Sequence, residues 1–268
     1  MIRLAASARR SWRAAAWAAL ACVVVACGGG EPAPGGSAGV GPAAADPTTL
    51  RRGNGADPDT LDPQRARTDS TFNVLRDLFE GLTAVGPDGH AVPAAAESWT
   101  VSADGREYTF QLREGLRWSN GDALVAGDFV AGMRRLVDPA TASQYAQVFE
   151  PVVNAAAITR GELGAGQLGV SAPDDRTVVI RLANPAPYLL GLLAQPGTFP
   201  VHGPTLAAHG TEFARPGRLV SNGAFVLEDW VVGSHVSVRR NRNYWNDAAT
   251  RLGRVRFVHH ADAGTEFR

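Results

Sequence analysis

The sequence predicts an α+β fold, and three observations carry that prediction. Strands come in hairpins: Tyr108, Phe110 and Leu112 alternate with polar residues just after an Asp104-Gly105 turn. Helical spacing is confined to isolated stretches, such as Phe72, Leu75, Leu78, Phe79 and Leu82. Strands and helices do not alternate regularly, which argues against a doubly wound parallel sheet.

In chain order, residues 50–54 read as a short strand leading into a loop that runs from Asp57-Pro58 to Asp62-Pro63. The helix that follows takes Ser70 or Thr71 as its cap and has Gly81 near its end. Residues 99–102 are the expected hairpin partner of the strand at 108–112. Phe129, Met133 and Leu136 share one helix face, and Asp138-Pro139 stops that helix. Residues 153–159 form a second short helix, and 177–182 a strand after the Pro173-Asp174-Asp175 turn. The apolar stretch 187–193 reads as helical. Two strands at 224–230 and 234–240 join at Gly233, and 254–259 is the last strand. The adjacent His259 and His260 would then point to opposite faces of it. No internal repeat is visible.

Composition narrows the function. The 268 residues carry no net charge and 45% of them are apolar, enough for one large domain or two modest ones. Balanced charge gives no basic face for nucleic acid. The two cysteines are Cys22 and Cys27, so nothing beyond residue 27 can form a disulfide, a thiolate metal site or a cysteine nucleophile. The six histidines fall in no HExxH pattern, and no Gly-x-Ser-x-Gly lies at a strand-to-helix turn. The expectation is a protein without catalytic residues, metal or cofactor.

The N-terminus reads as an address. Arg3, Arg9, Arg10 and Arg13 precede an apolar run over 14–26 that is shorter than the about 20 residues a membrane span needs. It has the form of a signal-peptide core, and Val24-Val25-Ala26-Cys27 resembles a bacterial lipobox. Residues 1–26 are therefore the expected signal peptide. Cys27 is the expected lipidation site, and 27–47 a Gly/Pro/Ala-rich tether that cannot bury a core. Acyl chains contribute about 0.8 kcal/mol per buried methylene, so several together anchor a protein durably in a lipid bilayer. Gly28 after the cysteine leaves either envelope membrane open.

Nine segments carry a more specific resemblance. They are Thr60-Leu61-Asp62-Pro63, Arg76-Asp77-Leu78-Phe79-Glu80-Gly81-Leu82, Ala96-Glu97-Ser98-Trp99, Tyr108-Thr109-Phe110-Gln111-Leu112-Arg113, Trp118-Ser119-Asn120-Gly121-Asp122, Asp128-Phe129-Val130, Val137-Asp138-Pro139, Ser221-Asn222-Gly223-Ala224-Phe225 and Asn243-Tyr244-Trp245-Asn246. Singly each is weak. In this order and spacing the chain resembles the oligopeptide-binding proteins of bacterial ABC importers, solute-binding family 5. On physical grounds alone the same segments shape a scaffold. Trp99, Trp118 and Trp245 stand beside polar turns, where an indole buries its ring while its N–H keeps a partner. Asn120-Gly121-Asp122 and Asn222-Gly223 read as turns.

The resemblance implies a periplasmic binding protein-like clamp of type II with an extra lobe. Its first lobe would be assembled from 48–79 and 201–268, with 80–200 forming the second. The third lobe would be absent from this chain, which has roughly half the family's usual length, so it is either a fragment or a truncated product. The implied role is capture of a peptide ligand in the periplasm, as a monomer anchored through acylated Cys27, and delivery to the ABC permease subunits. Family relatives that take dipeptides, murein peptides, nickel chelates, haem or a sugar are the alternatives, together with a truncated product without transport function. By the same resemblance Arg67, Thr68 and Asp69 occupy the loop that lines the cleft, largely through backbone groups. Tyr145 matches a tyrosine bordering the ligand, with an ordinary half-buried tyrosine as the alternative reading. The acidic residue that pairs with a peptide amino terminus would lie beyond residue 268, so the chain alone is expected to bind peptide poorly.

Overall fold

A computed structural model of the chain describes residues 48–260. The expected signal peptide, Cys27 and the whole of the tether lie outside the described residues. The first strand, β1 (Thr49–Gly53), leads through an ordered loop into helix α1 (Asp69–Leu78). A two-stranded hairpin follows, β2 (Thr83–Val85) and β3 (Ala91–Pro93), and then β4 (Ala96–Val101) and β5 (Glu107–Leu112). Helix α2 (Ala126–Val137) precedes a run of short turns and α3 (Ala155–Thr159). Strands β6 (Val170–Asp174) and β7 (Thr177–Arg181) come next, then the short helices α4 (Leu189–Leu192) and α5 (Gly203–His209). The last strands are β8 (Phe225–Val231), β9 (His235–Arg240) and β10 (Arg254–Val258).

Two four-stranded sheets organise these elements. One has the order β1-β10-β9-β8, with β1 parallel to β10 and the other neighbours antiparallel. It joins the two ends of the described chain. The other, β4-β5-β7-β6, is antiparallel throughout. Helices α1 and α2 each cover one sheet. Val74, Leu75 and Leu78 of α1 are fully buried, and α1 packs on β8 and β9. Phe129, Met133 and Leu136 of α2 form the predicted stripe, and α2 packs on β6 and β7. One continuous apolar core runs through both layers, from Phe257 and Val238 to Phe110 and Ile180. The mixed sheets and separate helices make this an α+β fold, as the sequence predicts.

The differences from the sequence reading have local causes. The cap of α1 is Thr68, whose hydroxyl accepts from the Thr71 amide at 3.3 Å. Ser70 and Thr71 lie inside the first turn, where the Thr71 hydroxyl accepts from Thr68 at 3.0 Å and donates to Asp59 at 2.6 Å. The helix ends at Leu78, with Phe79 extended, three residues before Gly81, so the buried Leu82 lies beyond the helix and not on its face. The turn expected at Pro173-Asp174-Asp175 starts later. Pro173 and Asp174 belong to β6, an edge strand that tolerates proline, and the Asp174 carboxylate holds the turn by accepting from the Arg176 amide at 2.8 Å. Helix α5 carries no buried residue, so it left no apolar stripe to read. Strand β10 ends at Val258, and the amides of His259 and His260 pair with Ser234 and Gly55 in loops.

Gly233 and Gly223 are each required by geometry, for different reasons. Gly233 takes φ of 76° at the β8–β9 hairpin, a conformation that side chains strain. Gly223 sits at normal φ but against the end of α1, where a Cβ would lie 2.7 Å from the Leu78 carbonyl carbon and the Phe79 nitrogen. Asn222-Gly223 is thus a point of close backbone approach, and it places Phe225 at the start of β8 as expected.

Candidate functional site

The loop before α1 is built around two carboxylates. Asp59 accepts from the Thr71 hydroxyl at 2.6 Å and from Arg67 Nε at 2.9 Å. Burial opposes its ionisation, but the hydrogen bonds from Thr71 and Arg67 outweigh it and hold the carboxyl below the ordinary aspartate range. Asp62 is buried, and both its oxygens accept from Arg135 of α2, at 2.6 and 2.5 Å. Arg135 also reaches Gln64 Oε1 at 2.6 Å, and Gln64 Nε2 donates to the carbonyls of Gly197 and Phe199. A buried bidentate pair with its remaining bonds satisfied fixes a geometry more than it adds stability. Here it fastens the loop 59–68 to α2 and to the 196–199 turn.

The opposing wall comes from the turns after α2. Asp138 caps the first, Pro139–Thr141, by accepting from the Ala140 amide, and Ala142 closes it in the left-handed conformation at φ 54°. Tyr145 follows, its amide donating to Ser143 Oγ at 3.2 Å, and Ala146–Phe149 continues as a second turn. The Tyr145 hydroxyl donates to the Arg67 carbonyl at 3.3 Å, and its ring meets Phe72 edge-on at 5.5 Å.

The structure therefore brings Arg67 and Tyr145 into contact and places Thr68 beside them. Thr68 is committed to capping α1, and Asp69 is exposed in the first turn, where its charge suits the helix dipole. Two cavities open on this seam. One, of about 300 Å³, is largely apolar and includes Ala66, Phe72, Tyr145, Val148 and Leu192 in its lining. The other, of about 290 Å³, is polar and lined by residues including Asp59, Arg65, Arg67 and Gln144. Phe72, Arg135 and Gln144 were not singled out as site residues from the sequence. Phe72 read only as one more member of a core stripe, and nothing local marks Arg135 as the partner of Asp62.

A second polar cluster stands where the chain passes from α1 into the rest of the fold. The Glu80 carboxylate accepts from the Tyr244 hydroxyl at 2.5 Å and from Trp245 Nε1 at 2.6 Å. The Arg113 guanidinium lies 3.8 Å from the Trp245 ring centre. Burial pushes the Glu80 carboxyl up, against the pull of those two donors. Burial and the Glu80 charge push the Tyr244 hydroxyl up as well, so it stays a donor. Asn222 clips the Glu80 backbone on both sides, accepting from its amide at 3.1 Å and donating to its carbonyl at 2.9 Å. Trp118 is likewise buried with its N–H on Asp128 Oδ2 at 3.2 Å. These motif residues hold the scaffold. Among the described residues no three His, Cys, Asp or Glu side chains converge as a metal site.

The model of the family "Bacterial extracellular solute-binding proteins, family 5 Middle" matches residues 90–267. The chain is 42% identical over 211 residues to the probable deoxycholate-binding periplasmic protein YgiS of Escherichia coli (strain K12), covering 78% of this chain and 39% of that protein. It is 39% identical over 216 residues to the periplasmic oligopeptide-binding protein OppA of the same organism, covering 80% of this chain and 40% of that one. The solved structure of Burkholderia pseudomallei OppA superposes with a TM-score of 0.80 at 33% identity, over 82% of this chain and 43% of that one. The chain thus spans about two fifths of the length of the relatives it matches.

Proposed function

The chain belongs to the family 5 bacterial extracellular solute-binding proteins, and from that premise we propose that its protein captures oligopeptides in the periplasm for an ABC importer. In this reading residues 48–79 and 201–268 build one lobe of the clamp and 80–200 the second. The ligand lies along the seam between Arg67–Asp69 and Tyr145. The single observation that carries the reading is the meeting of these two segments beside an apolar and a polar cavity. An extended peptide takes its affinity from main-chain hydrogen bonds and places its side chains in such pockets. Backbone groups of the 67–69 segment and the Tyr145 hydroxyl supply part of that set. Binding is non-catalytic, by a monomer held at the envelope through acylated Cys27, with the ABC permease subunits as its partner.

Calorimetric titration of the intact gene product with a di- to hexapeptide series tests this. Binding in the micromolar range, about −8 kcal/mol, is expected for tri- to pentapeptides. Exclusive binding of dipeptides, or of none, would contradict it. A second reading has its own support: the cavity beside Tyr145 is apolar, and the relative named a probable deoxycholate-binding protein is 42% identical. A bile acid that competes with every peptide and binds more tightly would favour it.

A further inference from the structure

We infer that this seam selects peptides that present a carboxylate next to an apolar side chain, an inference that rests on the peptide-capture reading. Two features carry it. The apolar and polar cavities share a wall: Tyr145 lines the first, Arg67 lines the second, and the Tyr145 hydroxyl donates to the Arg67 carbonyl at 3.3 Å. A ligand lying across that wall puts neighbouring groups into the two spaces.

The polar cavity also carries more positive charge than its own carboxylates absorb. Asp62 is committed at both oxygens to Arg135, and Asp59 to Thr71 and Arg67. Only Nε of Arg67 is used in that contact, and its side chain remains 53% exposed. The Arg65 guanidinium bonds to none of the described residues, although its backbone amide is fixed by the Asp62 carbonyl at 3.1 Å. Asp69 lines neither cavity. The Arg65 fork and the unused Nη edge of Arg67 therefore line a polar space whose acidic residues are already matched, and a planar carboxylate suits such groups in a way an amide does not. The apolar neighbour fills the space beside Phe72 and Tyr145. The carboxylate can come from an acidic side chain or from the peptide's C-terminus.

The test is titration of the intact gene product with tetrapeptides that differ only in Glu or Gln after a central Leu, each with a free or an amidated C-terminus. The Glu peptide is expected to bind about tenfold more tightly than the Gln peptide at low salt, as a charge-assisted fork contact would give. That ratio should shrink at high ionic strength, since the arginines are exposed. Preference for the free over the amidated C-terminus, with no Glu preference, would assign the carboxylate to the C-terminus and still support the inference. Arg65→Gln, which removes a side chain without partners, should bring the governing ratio down at least threefold, and Arg65→Gln/Arg67→Gln should abolish it. Equal affinity for all four peptides overturns the inference alone. Binding of none overturns the peptide-capture reading and the inference with it.

Discussion

Replacing Asp77 with Asn should stabilise the protein at neutral pH and leave it unchanged in acid. Asp77 sits in the last turn of α1, where the helix dipole disfavours a negative charge. Burial raises its carboxyl from 3.8 to about 6, and the Arg52 charge offsets only part of this. A rise of that size corresponds to a penalty of about 3 kcal/mol on the ionised form. The side chain is half-buried, so solvent screening reduces the expected gain for Asp77→Asn to about 1–2 kcal/mol. The sign follows from linkage. A carboxyl whose folded value is raised contributes its stability below the unfolded value, and that contribution is lost as pH rises through the folded value. The stability difference between variant and parent should be near zero below pH 4, grow from there to about pH 6, and be flat above about pH 7. Urea denaturation of both proteins across that range measures it. A variant less stable than the parent at pH 7.5, or a difference independent of pH, would refute the reasoning.

Three further outcomes follow from the packing. Arg135→Ala strands the Asp62 carboxylate, 2% exposed, and should cost about 3–5 kcal/mol by urea denaturation; a loss under 1 kcal/mol would mean the pair fixes nothing. Gly223→Ala forces a Cβ into the Leu78–Phe79 backbone and should cost about 1–3 kcal/mol, read as a lowered melting temperature. Tyr145→Phe removes one hydrogen bond from a partly exposed ring. It should leave the urea midpoint nearly unchanged, while weakening peptide binding about two- to tenfold.

Much of the fold was legible in the sequence because its elements carry strong periodic signals. The β5 alternation, the α2 stripe and the Gly233 hairpin each appear where residue spacing placed them. The elements that were not read have weak patterns for physical reasons. Strands β2 and β3 are three residues each, β6 contains a proline at a sheet edge, and α5 buries nothing. The cap of α1 went to Thr68 because three neighbouring hydroxyls compete and only the three-dimensional turn decides among them.

The seam was legible only in part. Arg67, Thr68, Asp69 and Tyr145 came from the resemblance, and the structure supplies the Tyr145–Arg67 contact that no spacing encodes, since the two are far apart in the chain. The partners that set the seam's charge, Arg135 on Asp62 and Arg67 on Asp59, are likewise tertiary. A sequence shows that arginines and aspartates are present; which are matched to each other, and which remain turned to solvent, depends on packing.

The most direct test of the account is photo-crosslinking of the intact gene product with a benzophenone-bearing tetrapeptide, with the attachment sites mapped by mass spectrometry. Within the residues described here, the account predicts attachment at 63–72 and 142–148, abolished by excess unlabelled peptide. Competed attachment confined to the remaining described residues, away from Arg67 and Tyr145, would contradict it.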